Sequence, residues 1–513
     1  MKKPSLAIAV LTLGLCAFAV PAMAQTTSTG IDCSQISALH LLQQENLRAG
    51  KTLVECGIVQ GGHEAKGSDN EVPQPPNVLV SNRSCSSAAS CTKSESMVYA
   101  NGSTVVVNYN DEYFGNGTDY SGTSYSTDGG NTFTEITPPP FANGHGTNFG
   151  DPIVVYNKKM GLFFAGDLVT ACGGQGVGLW SSPDGITWTT AACAHNGGSD
   201  DRESLWVDND PTSAGYGRMY ISFNNFEING GALQVVYSDN GTTWTTVTLD
   251  GSFIRDVQVT GAQISPTTAR SSLNGYNAVF VASMDEGGGG ANTRQNVMFR
   301  STNGGATWTQ ITMGPRFSPP GDATCGYFYQ VNPIWRHMGW GGPAVGPNNV
   351  VHYDFAGAGT NNDHGDIFYT RSTDNGTTWS TPIKLNTDPD QQFHVQWMPS
   401  LSVNPSGKVT ASWYDRRQAS TACNAVTDPG CSYNRYAIQS PDNGATWGTD
   451  FVVSSSLINQ PAQDDPNVVS CYAGDYDYAT AQGSTAYITW TDGRRNVSGV
   501  QVQDVNYAEV PEQ

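Results

Sequence analysis

Most of this chain alternates short apolar runs with clusters of Gly, Asn, Asp and Ser, a pattern that predicts strands separated by tight turns. Thr104-Val-Val-Val-Asn-Tyr109 and Ala486-Tyr-Ile-Thr-Trp490 are two such runs. One turn string recurs. Ser372-Thr373-Asp374-Asn375-Gly376-Thr377-Thr378-Trp379 returns with its Asp, Asn or Gly positions aligned at Ser126–Phe133, Ser301–Trp308 and Ser440–Trp447. Degenerate copies stand at Tyr237–Trp244 and at Ser182–Trp188, the latter one residue short. An Asp or Asn side chain accepts from backbone N–H groups two residues on, and Gly supplies the positive φ of a hairpin turn. The Trp or Phe then leads the next strand, where a large ring packs between neighbouring sheets.

The six strings are roughly 55 to 70 residues apart, the span of a four-stranded antiparallel sheet with its loops, which predicts radial repetition. The fold class is therefore all-β, a β-propeller. Units begin near Glu95, Asp151, Arg202, Arg255, Arg336 and Trp397. A seventh begins at Gly474-Asp475-Tyr476-Asp477-Tyr478 and continues through Ala486–Trp490 and Val502–Val510 without a turn string after it. The expectation is seven blades, the last completed by an N-terminal strand at 77–80; six blades with a C-terminal extension is the alternative.

The N-terminus departs from the pattern. Lys2 and Lys3, the apolar run Leu6–Val20 and Ala22-Met23-Ala24 read as a secretory signal cleaved after Ala24, and no later stretch reaches the ~20 apolar residues of a membrane span. A secreted or periplasmic protein is expected. Residues 25–76 form a segment of their own, with one short amphipathic helix expected over Ile36–Arg48 and a linker from Gly61 to Pro76; the propeller occupies 77–510.

Export changes the meaning of the cysteines. Beyond Cys16 there are ten, an even number that suits disulfides in an oxidising compartment. Proximity suggests Cys33 with Cys56, Cys85 with Cys91, Cys172 with Cys193 and Cys423 with Cys431, leaving Cys325 for Cys471. None has zinc-ligand spacing. No cofactor is expected, although structural calcium in the acidic loops stays open. The net charge of −20 argues against nucleic acid and anionic membranes as partners; an anionic ligand would need a local arginine cluster.

Strand parity sorts the candidates. The turn between third and fourth strands shares a face with the turn between first and second, so the opposite face collects the blade connections and would carry the ligand. Inner-strand starts bring Asp151, Arg202, Glu203, Arg255, Arg336, His337, His394, Asp475 and Tyr476 there, and second-strand ends bring Arg416 and Arg494. Tyr476 is the nucleophile candidate, with Glu203, Asp151 and Asp475 for acid–base work. Arg202, Arg255, Arg336, Arg416, Arg494, His337 and His394 are the binding candidates. Each also has a structural reading: Trp413-Tyr414-Asp415-Arg416 and Trp490-Thr491-Asp492-Gly493-Arg494 recur in adjacent units, as a structural Asp–Arg pair would.

With the strings, the unit length and the export signal together, residues 94–510 resemble the sialidase-like superfamily of Asp-box (bacterial neuraminidase repeat) propellers. The resemblance implies that the boxes are structural and lie away from the active site. It also implies an exo-glycosidase acting on terminal acidic sugars through an arginine triad, a Tyr nucleophile paired with Glu, and an Asp acid/base, an exception to the two-carboxylate scheme. The Arg-Ile-Pro motif is absent; Phe253-Ile254-Arg255-Asp256 is a poor match. The alternatives are a polysaccharide lyase acting on uronate-containing glycans, with His337 or His394 and a Tyr moving the proton, and a non-catalytic glycan- or protein-binding propeller. In all but the protein-binding case the partner is a carbohydrate.

Overall fold

Seven sheets, each with four antiparallel strands and one of them with a fifth strand added in parallel, are what the repeated pattern builds, arranged as a propeller. The computed structural model describes residues 26–65, 77–81, 91–112, 119–137, 139–262, 275–287, 293–321, 323–332, 335–423 and 429–512. The first strands of blades I to VII are Lys93–Asn101, Ile153–Asn157, Asp200–Val207, Arg255–Gly261, Pro343–Val345, Gln396–Val403 and Thr480–Gln482. Residues from all seven line one cavity of about 440 Å³, among them Tyr99, Val155, Trp206, Val259, Val345, Leu401 and Ala481. This cavity lies beside the first-to-second-strand turns, on the face of the turn strings and not on the opposite face where the ligand was expected.

Blade VII closes the ring. Its chain-order strands Thr480–Gln482, Thr485–Asp492 and Asp504–Pro511 are joined by Val78–Leu79, with Val78 opposite Tyr507 and Leu79 opposite Asn506. Val80 N donates to Val505 O at 2.9 Å, and its side chain, fully buried, packs with Val98, Val107 and Tyr507 of blades I and VII. An N-terminal strand thus supplies the outer strand of the last blade and ties the two ends of the propeller together.

The six turn strings join third to fourth strands. In each, a Ser Oγ accepts from a Gly N–H, as Ser372 does from Gly376 at 2.8 Å, while the Asp or Asn Oδ1 accepts from backbone N–H groups. The strings are also joints between blades. Arg218, Arg300 and Arg371 donate to Gly304 O, Asn375 O and Asn443 O of the following blade's string. A Cβ on Gly444 would lie 1.8 Å from Tyr369 Oη of the preceding blade, so glycine is required there. The rings that end the strings pack on the cores: Trp188 and Trp244 on one, Trp308, Trp379 and Trp447 on others.

Three expectations need correction. The helix runs over Leu47–Glu55, not Ile36–Arg48: Asn46 caps it by accepting from Ala49 N, and residues before it form two 3₁₀ turns, Cys33–Gln35 and Leu41–Gln43. Arg336 does not start blade V. Trp335–Arg336 completes a separate three-stranded sheet with Ala323–Cys325 and Phe328–Asn332. Nor does Asp475-Tyr476 begin the first strand of blade VII; Asp477–Tyr478 instead adds in parallel to Lys93–Asn101 of blade I.

The disulfides Cys33–Cys56, Cys172–Cys193, Cys325–Cys471 and Cys423–Cys431 pair as expected; Cys85, expected to pair with Cys91, lies outside the described residues, as do the signal segment and most of the linker. Four such bonds are the mark of an oxidising compartment. Among the described residues no helix is long and apolar enough to cross a membrane.

Two substitutions test the closure. Val80→Asp places an unpaired carboxylate in the blade I–VII core and is expected to cost about 3 kcal/mol or more in chemical denaturation. The control Ile383→Asp, at a half-exposed position, is expected to stay within ~0.5 kcal/mol of wild type.

Candidate functional site

The residues of the opposite face are aimed by one repeated irregularity. Pairing between first and second strands slips between Ser94 and Ser96, Asp201 and Ser204, Arg255 and Gln258, and Trp397 and Ser400. At each slip one residue is left-handed: Glu95 (φ 49°), Arg202 (φ 52°), Asp256 (φ 59°) and Met398 (φ 48°), and Asp151 (φ 65°) stands likewise just before its strand. A bulge of this kind bends the strand and re-aims a side chain, at a cost of roughly 1–3 kcal/mol for a non-glycine residue. Four blades carry the same strain at the same place, which makes this end of the ring the candidate site.

Three guanidinium groups meet there on one residue, Glu45 of the N-terminal segment. Arg202 Nη1 donates to Glu45 Oε2 at 2.5 Å, Arg255 Nε donates to Oε1 at 2.8 Å, and Arg255 Nη2 also pairs with Oε1. Arg336 Nη2 donates to the Glu45 carbonyl oxygen at 3.0 Å. Behind them, Arg202 pairs with Asp256 at 2.8 Å and Arg336 takes both oxygens of Asp475. Aromatic faces complete the cradle: Arg202 lies 4.7 Å from the Trp340 ring and 4.9 Å from Tyr476, and Arg336 lies 4.2 Å from Phe328. Such stacking suits the weakly hydrated guanidinium. Burial pushes the Glu45 carboxyl up, but Arg202, Arg255 and Arg336 outweigh it and hold the group below its ordinary value.

Beside this cationic cradle lies a set of buried acids. Burial, reinforced by their mutual repulsion, raises Glu95, Asp151 and Glu203 well above the usual carboxyl range. Asp151 Oδ2 accepts from Arg202 N at 2.9 Å, and Glu95 accepts from Asp475 N and Asn110 Nδ2, both at 2.7 Å. The buried Asp151 Oδ1, both Glu203 oxygens and Tyr476 Oη have no hydrogen-bond partner among the described residues. Burial and the nearby Glu95 and Asp151 keep the Tyr476 phenol neutral. Buried and beside Arg202, His337 is pushed down to about 3, and its Nε2 accepts from Met398 N.

The other sequence candidates lie apart. His394 pairs with Asp388, in a polar group that includes Arg417, Asp415 and Asp450. Arg494 chelates Asp492 and reaches Asn77 and Ser455; Arg416 is buried at the end of Val409–Asp415, and it is Arg417, not Arg416, that pairs with Asp415. Trp413 and Trp490 Nε1 donate to Asp415 and Asp492 at the same 2.9 Å, so the recurrent motif has a shared structural role. Sequence reasoning missed Glu45, Asp201 and Trp340 as parts of the constellation. Glu45 carried no signal, since it lies outside the repeat.

Two groups could be taken for cation sites. His145, Cys172 and Cys193 lie together, yet both cysteines are in a disulfide. Asp363, Asp366 and Asp390 lie together too, but the Lys384 ammonium already bridges Asp366 and Asp390 at 2.6 and 2.5 Å.

The acids set a pH dependence. A carboxyl raised on folding contributes stability that is lost as pH climbs through its folded value, and Glu95, Asp151, Glu203 and Asp464, the last pushed up to about 8, all act in this direction. Glu45, depressed, acts oppositely and is lost only on strong acidification. The expected melting temperature is higher near pH ~5 than near ~8, and Glu203→Gln should flatten that slope.

No family model and no curated relative matches the sequence. Solved structures of similar chain path include a polysaccharide lyase, an ulvan lyase bound to a GlcA(1-4)Rha3S fragment (12% identity, 88% of this chain and 96% of that one, TM-score 0.46). A GH93 α-L-arabinofuranosidase of Fusarium graminearum with arabinobiose matches at 11% identity over 85% and 97% of the two chains, TM-score 0.42. A Hadza microbial sialidase matches at 15% identity over 82% and 66%, TM-score 0.37. These neighbours are carbohydrate-active proteins, and at such distances the likeness is one of chain path.

Proposed function

We propose that this chain is an exported carbohydrate-active enzyme, an exo-glycosidase that hydrolyses a terminal acidic sugar at the bulged end of the propeller. The observation that carries the reading is the convergence of Arg202, Arg255 and Arg336 on the carboxylate and carbonyl of a single residue. Planar guanidinium groups match a carboxylate by charge and by geometry, and three of them from separate elements select an anion that a neutral sugar cannot replace. Tyr476 would be the nucleophile, its oxygen bonding to the anomeric carbon as its proton passes to the nearby Glu203 in its carboxylate form: a neutral phenol is not repelled by the substrate's carboxylate, and its ring already stacks against Arg202. Asp151, whose carboxyl burial raises well above the usual range and whose Oδ1 is unpartnered, suits protonation of the leaving oxygen. Asp475, committed to Arg336, is a positioning residue in this reading. Arg416, Arg494 and His394 have no part in it.

The test is a panel of aryl glycosides of sialic and uronic acids beside their neutral counterparts. It is assayed with wild type and with Glu45→Ala, in which the arginines are freed. Release of the aryl group from acidic substrates only is the expected result, with kcat/KM reduced about 100-fold or more by Arg255→Ala and by Tyr476→Phe. Absorbance from an unsaturated uronate would replace hydrolysis by elimination. Binding of acidic glycans without turnover, unaffected by Tyr476→Phe, would leave a lectin-like propeller.

A further inference from the structure

The residue that the arginines hold belongs to no blade. Gln44, Glu45 and Asn46, each almost wholly buried, enter the site from a segment stapled by Cys33–Cys56, and their polar groups are received as those of a ligand would be. Glu45 N and Asn46 N donate to the two oxygens of Asp201 at 2.8 and 3.1 Å, and Asn46 Nδ2 donates to Asp201 Oδ1 at 2.7 Å. Gln44 Nε2 donates to Ser199 at 2.8 Å. Outside this loop the helix Leu47–Glu55 packs through Leu47 with Tyr120, Val468, Val469 and Tyr472, and Gly62 N donates to Asp465 O and Val468 O. The segment is fastened at both ends. Next to Arg202 and Tyr476 only about 10 Å³ stays open, space for a single water at most.

Charge explains why the loop carries Glu. Arg202 and Arg336 have carboxylates of the propeller itself, Asp256 and Asp475. Among the described residues the ion-pair partner of the buried Arg255 is Glu45. Asp201 and Glu286 of the propeller also offset the Arg255 charge, but the carboxylate in direct contact with this guanidinium comes from outside the blades.

We propose that residues 44–46 are an intramolecular ligand, and that the N-terminal segment competes with an acidic sugar for the arginine cradle and holds the site closed. The inference rests on the reading of this cradle as a carboxylate site. It adds the polarity of the natural ligand: a carboxylate toward Arg202 and Arg255, an acceptor oxygen toward Arg336, and a hydroxyl or amide donor toward Asp201.

The experiment is chemical rescue of stability. Glu45→Ala empties the carboxylate position, and its melting temperature is measured against increasing acetate and glucuronate, with acetamide, methyl glucuronate ester and chloride as controls. The carboxylates alone are expected to raise it, rising with the logarithm of concentration once sites fill, while wild type does not respond. Absence of rescue, or equal rescue by the neutral controls, would overturn the proposal. Should Glu45→Ala not fold, wild type decides: excess glucuronate is expected to speed hydrogen exchange of the 44–55 amides, and unchanged exchange overturns the proposal. Where an acidic substrate is turned over, its apparent KM should fall about tenfold or more in Glu45→Ala. Rescue without turnover would sink the glycosidase reading and keep the built-in ligand; turnover with neither rescue nor a change in KM would do the reverse.

Discussion

Buried guanidinium groups at the end of a propeller must be neutralised, and much of this structure follows from how that is done. Removing an ion from water costs several kcal/mol even after relaxation. An opposite charge ~4 Å away in a partly screened setting returns about 4 kcal/mol, so each arginine needs a partner close by and well aligned. Arg202 and Arg336 find theirs in Asp256 and Asp475; Arg255 finds it in Glu45. The N-terminal segment is thereby bound into the propeller by electrostatics as much as by the apolar contacts of its helix.

The acids nearby obey the same rule with the opposite outcome. Glu95, Asp151 and Glu203 are buried without a matching cation of their own, and burial raises their carboxyls well above the usual range. Arginines and acids of raised carboxyl range thus sit side by side in one enclosed space. Repeated left-handed bulges produce this arrangement, because each turns the start of an inner strand at the point where blades meet. The strain is tolerated because the rest of each strand is paired on a second strand and buried.

At the other face the turn strings solve a mechanical problem. Each closes a hairpin through its own Ser and Asp or Asn, and several accept an arginine from the preceding blade. Rigidity is supplied there, away from the candidate chemistry, and the N-terminal strand Val78–Leu79 and the disulfide Cys325–Cys471 extend it to the last blade and its connection.

What the sequence determined by itself was whatever repeats or lies close along the chain. The spacing of six turn strings and the missing seventh led to seven blades and an N-terminal closing strand, and short separations identified local disulfides. Strand parity put Arg202, Arg255, Arg336, Asp475 and Tyr476 on one face. Which arginines converge was beyond it, since Arg416 and Arg494 share that face and look equivalent in sequence; their actual neighbours depend on how loops fold back. The bulges were invisible because Glu95, Arg202, Asp256 and Met398 share no residue type, only a backbone conformation. Above all, Glu45 lies in a segment outside the repeat, 157 positions from Arg202 and 210 from Arg255 along the chain. Only the tertiary structure could bring that carboxylate to the arginines, because the need for it arises from burial, a property no single stretch of sequence carries.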